Sequence, residues 1–247
     1  MPSFRRIALI AAAAPLALAL AACGDSADDA VPAGEALTPI AATGTASWVE
    51  TAAVTPEGGY RIGNPEAPLK LVEYASHTCS HCAAFAQEGA PKLDAYVAKG
   101  TVSYELRNQI HDPIDLTIAL LARCGTPESF HPLANQAWQN FESLMTTVQA
   151  NGAALQQAQS APTAQRFQAI GEAAGLLDFF AARGISRDQG LQCLADTEKA
   201  QQIAEASQTQ SDELQITGTP TFILNGRKVE GTNWASVEDA LKAAGAR

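Results

Sequence analysis

The run "TCSHC" at residues 78–82 sits where the hydrophobic period of the chain changes, and that position limits what the chain can fold into. Before it, "PLKLVEYAS" (68–76) alternates, with Leu69, Leu71 and Glu73 on one side and Lys70, Val72 and Tyr74 on the other. That is the period of a strand. After it, Cys82, Phe85, Ala86, Leu93, Tyr96 and Val97 recur at helical spacing until Gly100, with Pro91 expected to kink or break the helix. "TVSYELR" (101–107) then alternates as a second strand. The two cysteines therefore open a helix inside a strand–helix–strand unit.

The period next turns helical for nearly a hundred residues. Asp112 followed by Pro113 reads as an N-cap with proline at the first helical position. Ile114, Ile118, Leu121 and Ala122 form a stripe that ends at Gly125, and Thr126-Pro127 repeats the start signal. Helices are expected over 130–148, 164–174, 176–183 and 187 to about 214. Phe130, Trp138, Phe141, Phe179 and Phe180 read as packing residues at that spacing. The strand period returns in "GTPTFILNGRKVEG" (218–231), where Asn225-Gly226 is a hairpin turn signal between 221–224 and 227–230. Ser236 and Asp239 are expected to cap a last amphipathic helix. A βαβ unit and a ββα unit thus flank an all-helical insertion at about 113–214.

The first residues read as an address. "MPSFRR" is basic, and 7–22 form an apolar run of sixteen residues, short of the ~20 needed to span a bilayer. The expected division is a signal peptide over 1–22, a flexible acidic tether over 23–47 and one domain over 48–247. "LAAC" (20–23) resembles a lipobox, which implies cleavage before Cys23 and acylation of its thiol. The localisation implied is the periplasmic side of a membrane, held by lipid. The chain carries 16 Lys and Arg against 26 Asp and Glu, and setting Arg5 and Arg6 aside leaves 14 against 26. Such a surface excludes a nucleic-acid partner.

An exported protein meets oxidising conditions, where cysteines pair. Of the five cysteines, four remain after Cys23, and their spacing suggests Cys79–Cys82 and Cys124–Cys193. For Cys124 and Cys193 three readings stand: a structural disulfide between helices, two buried thiols, or an auxiliary redox pair.

The element order, "GGYRIGNPEAPLKLVEYASHTCSHC" (58–82), "VSYELRN" (102–108) and "TGTPTF" (217–222) together resemble the DsbA-like disulfide oxidoreductases of the thioredoxin superfamily, over about residues 58–245. The resemblance implies a thioredoxin-like α/β fold, a central mixed sheet flanked by helices, and no cofactor. It implies unfolded or reduced exported proteins as substrates and a membrane redox partner that recycles the cysteines. Cys79, at the helix N-terminus, would be the exposed nucleophile, because unpaired N–H groups and the helix dipole stabilise a thiolate. Cys82, one turn in, would resolve the mixed disulfide. His81 would favour the Cys79 thiolate, and Ser80 stands where the family's oxidases carry proline. Glu73 matches the family's buried acid and would relay a proton; otherwise it is an edge-strand glutamate in solvent. Pro220 matches the family's cis-proline, and Thr219 before it would offer backbone groups to an extended substrate.

The direction of the chemistry, oxidase against reductase or isomerase, stays open. The rival of a different class is a copper- or zinc-binding, metallochaperone-like lipoprotein that uses Cys79, Cys82, His77 and His81. Against it, His81 lies between cysteines that already close a tight ring. On the redox reading no metal is bound, His77 is pocket rim, and His111 and His131 are surface or cap residues.

Overall fold

The computed structural model describes residues 34–44 and 47–247. The expected signal peptide, Cys23 and the first part of the tether lie outside the described residues. From Gly34 the chain is docked, which shortens the tether expected to reach residue 47. The Gly34 and Leu37 N–H groups donate to the Ala243 and Gly245 carbonyls, and Ile40 N–H donates to Lys99 O. Trp48 Nε1 donates to Ile40 O at 2.7 Å. Among the described residues no helix is long and apolar enough to cross a membrane.

A six-stranded mixed sheet forms the centre. β1 (Ala52–Val54), β2 (Tyr60–Gly63), β3 (Leu69–Ala75), β4 (Val102–Asn108), β5 (Thr221–Leu224) and β6 (Arg227–Lys228) lie in the order β1-β2-β4-β3-β5-β6. β3 and β4 are parallel, joined by the crossover helix α1 (Ser80–Val97); every other pair is antiparallel. The β1–β2 hairpin was not expected. Its strands are short, and its only strong signal is the Pro56–Gly59 turn. Asn225 and Gly226 both take positive φ, 48° and 82°, as a tight hairpin turn requires.

The alternation in β3 divides the two faces of the sheet. Leu69, Leu71 and Ala75 join the main core with Cys82, Phe85, Leu93 and Val97 of α1. Tyr74 and Val72 face a smaller cluster with Ile216 and Ile223. α1 runs through Pro91, which lies inside the helix and does not end it, and Gly100 at φ 71° closes the turn beyond it.

The helical insertion is α2 (Pro113–Ala122), α3 (Pro127–Gln139), α4 (Phe141–Ala150), α5 (Gly152–Gln159), α6 (Thr163–Ala173), α7 (Leu176–Ala181), α8 (Arg187–Leu194) and α9 (Thr197–Leu214). Two expected helices are each divided, at Asn140 and at Ala195–Asp196, and α5 was not expected. Asp196 caps α9 by accepting from Lys199 N–H, a new start inside a continuous apolar stripe. α10 (Trp234–Ala243) closes the fold and begins earlier than expected. Its cap is Asn233, which accepts from Ser236 N–H.

Candidate active site

Four segments meet at the redox pair: the end of β3, the first turn of α1, the start of α2 and the loop before β5. Cys79 is the N-cap of α1, in extended conformation, with no side-chain cap bond. Its sulfur faces the N–H groups that the first turn leaves without partners. Both Cys79, partly exposed, and Cys82, fully buried, are free thiols.

Electrostatics separate the two sulfurs. The Cys79 thiol is lowered from 9.0 to about 5, first by the Cys82 thiol and then, against a burial penalty, by Thr219 and the backbone N–H groups of Cys82 and His81. Burial pushes the Cys82 thiol far up, and the neighbouring Cys79 and Glu73 add to that. One sulfur is thus a ready thiolate and leaving group, and the other holds its proton. His81 lies exposed in the first turn of α1, and its main-chain N–H is one of the donors that lower Cys79.

Pro220 follows a cis peptide bond, and Thr219 O accepts from the Cys79 thiol at 3.3 Å. The cis-proline loop therefore lies against the exposed sulfur.

Glu73 is 1% exposed on a central strand, paired with Phe222 of β5, so the solvent-edge alternative does not hold. Burial raises its carboxyl to about 8, opposed by a hydrogen bond from the Tyr104 hydroxyl. Its Oε1 has no hydrogen-bond partner among the described residues. Glu73, Tyr104, Phe85, His131 and Trp138 line a cavity of about 610 Å³, and the charge of Glu73 reaches the Cys82 thiol. A neutral carboxyl at that place can give a proton to a sulfur.

Two histidines, one expected at the pocket rim and one at the surface or a cap, are in the interior. His131 is buried, and burial lowers it to about 4; its Nε2 sits 2.9 Å from Tyr60 O. His77 is 1% exposed and stacks on Trp138 at 4.8 Å, so it is core and not rim. Its Nδ1 lies 3.4 Å from Asp115 Oδ1. Among the described residues no three of His, Cys, Asp and Glu converge as metal ligands. His111 is exposed, with Nε2 3.3 Å from Thr219 Oγ1.

Sequence reasoning missed the groups that hold the loop before Cys79. Asp115 accepts from the backbone N–H groups of His77, at 2.8 Å, and His111, at 2.9 Å. Asp112 caps α2 through Ile114 and Asp115 N–H and also accepts from the Thr78 hydroxyl at 2.7 Å. Trp138 Nε1 donates to Ser76 O at 3.1 Å. The Asp112-Pro113 cap was the only available signal, and it spoke for a helix and not for the site.

Comparison with known proteins agrees with this geometry. A family model described as thioredoxin matches residues 55–243. The chain belongs to the thioredoxin family. A crystal structure of protein-disulfide isomerase from Novosphingobium aromaticivorans is 32% identical, with a TM-score of 0.70, covering 74% of this chain and 95% of that one. Wolbachia pipientis alpha-DsbA1 shares the fold at 22% identity and a TM-score of 0.61, over 77% of this chain and 92% of its own. A Rickettsia typhi protein with the provisional name protein-disulfide oxidoreductase is 26% identical over 185 residues, 74% of this chain. The match covers 60% of that relative's length. The expected thioredoxin-like fold with a helical insertion of the DsbA kind is the fold observed.

Proposed function

We propose that the protein is an extracytoplasmic thiol–disulfide oxidoreductase that passes its Cys79–Cys82 disulfide to exported proteins. The observation that carries this reading is the asymmetry of the pair: a thiolate-forming, accessible Cys79 at a helix N-terminus and a proton-holding, buried Cys82. A substrate thiolate attacks Cys79 Sγ of the disulfide; an S–S bond forms between them and the Cys79–Cys82 bond breaks. The Cys82 sulfur leaves with the electron pair and takes the proton of Glu73. A second substrate thiolate then attacks the substrate sulfur of the mixed disulfide and expels Cys79 as a thiolate. The substrate is oxidised by two electrons and the pair is reduced. One substrate proton reaches solvent, and the other restores Glu73. Thr219 and Pro220 present a backbone edge to the extended substrate, and a membrane redox partner reoxidises the pair.

An isomerase would use the same pair, and the Novosphingobium relative carries that name. The reduction potential separates the two readings. The direct test is oxidation of a reduced, unfolded dithiol protein. Cys79→Ser is expected to abolish it, and Cys82→Ser to accumulate mixed disulfides through Cys79. Full activity in both single variants would remove the pair from the mechanism.

A further inference from the structure

A groove leads away from the redox pair along the helical insertion. His111 and Asp112 form its near end, and both touch the site, through Thr219 Oγ1 and the Thr78 hydroxyl. It continues over Ile110, Pro113 and Leu116 to Arg166 and Phe167 of α6, enclosing about 260 Å³. Leu116, Arg166 and Phe167 also wall a second hollow of about 400 Å³ between α6 and α9. Ile110 and Phe167 are half-buried here, Pro113 is exposed and Leu116 is buried at the floor, and Arg166 stands among them.

Arg166 is the unusual member. Its Nε is buried without a hydrogen-bond partner among the described residues. Among the described residues no carboxylate pairs with it, although Glu198 lines the far hollow. Asp112, at the near end, is already committed to Thr78 and to the α2 cap. In a chain of net charge −10, an unpaired guanidinium in a groove that starts at the redox site is a group without an internal use. A guanidinium is a planar fork that matches a carboxylate, and partial burial makes such a pair worth more than one at the open surface.

We propose that this groove holds the stretch of substrate that flanks the target cysteine, with an Asp or Glu side chain of that stretch on Arg166. The assignment rests on the redox reading above and names its substrate class: extended segments in which a cysteine has an acidic and an apolar residue nearby. Ile110, Leu116 and Phe167 take the apolar side chain, and Cys79 meets the thiol beyond His111.

The test compares rates of oxidation for two sets of cysteine peptides, alike except for a glutamate or a lysine at successive positions on either side of the cysteine. At one position or more the wild-type protein is expected to prefer glutamate in kcat/KM by about five-fold, which is ~1 kcal/mol. Arg166→Gln, which keeps size and hydrogen bonding, is expected to lose that preference, and Arg166→Glu to reverse it. Equal rates at every position, or a glutamate preference that persists in Arg166→Glu, overturn the groove assignment. Exchange of the wild-type disulfide with dithiothreitol is read in parallel. Its absence removes the redox reading, and the groove assignment with it, whereas normal exchange with no peptide preference removes the groove alone.

Discussion

At the residue scale, two neighbouring acids have been moved in opposite directions, and the consequence is measurable. In the reduced protein Cys79 is lowered from 9.0 to about 5, so its stabilising effect is complete above 9 and lost as pH falls through 5. Glu73 is raised from 4.5 to about 8, so its folded state is most favoured below 4.5 and loses ground as pH rises to 8. Between about 5 and 8 the two slopes oppose each other. Glu73→Gln removes the falling one. The urea midpoint of the reduced variant is expected to rise with pH across that window, while the reduced wild type changes much less. Parallel curves for the two proteins would show that Glu73 does not hold a proton there. The burial of Glu73 was legible through the resemblance to the family's buried acid, whereas the residue pattern alone left a solvent-edge glutamate open. Alternation gives a side of the strand, and only the flanking of β3 by β4 and β5 makes that strand central. Tyr104, the partner of Glu73, comes from a different strand, and nothing local marks it.

At the element scale, α2 is a strut between two anchors. Its start holds the loop before Cys79 through Asp112 and Asp115. Just past its end, Cys124 is joined to Cys193 of α8 by a disulfide, with Cα atoms 5.8 Å apart. That bond closes a loop across 69 positions, and the chain-entropy model assigns such a closure roughly 4 kcal/mol, less where the unfolded chain keeps structure. The double variant Cys124→Ser/Cys193→Ser is expected to lose about 2–4 kcal/mol in urea unfolding and to keep disulfide exchange at Cys79. Loss of exchange in a folded double variant would instead favour an auxiliary redox pair. From β3 onward the order of strand, helix, strand, helical block, hairpin and helix was legible because period 2 and period 3.6 alternate there, whereas the short β1 and β2 and the helix α5 gave no such signal. Element boundaries inside the insertion were not, because the apolar stripe runs on through Asn140 and Asp196 while the backbone turns. His77 and His131 were misjudged for a related reason: Asp115, Trp138 and the Tyr60 carbonyl, which make their burial tolerable, come from distant segments.

At the scale of the whole molecule, the proposed anchor and the proposed direction are separate claims. The anchor rests on Cys23 alone. Labelled palmitate is expected to enter the wild-type protein and not Cys23→Ala, and unlabelled wild type would remove the anchor. The direction rests on the relative stability of two folded states. Closing the small Cys79–Cys82 ring favours the oxidised protein by about 2 kcal/mol through the unfolded chain. Against it stands the thiolate at Cys79, about 1.4 kcal/mol per pKa unit before a discount of roughly half for an exposed sulfur. That gain is absent near pH 5 and grows until pH 9, because the folded thiol titrates at about 5 and the unfolded one at 9.0. Glu73 is present in both redox forms and largely cancels. The stability of the reduced protein minus that of the oxidised one is therefore expected to rise with pH over that range, with the reduced form ahead at its upper end. Each unit of thiolate stabilisation also corresponds to about 30 mV, so the potential at neutral pH should lie above that of thioredoxin, about −270 mV. A stability difference that ignores pH, together with a thioredoxin-like potential, would make the protein a reductase.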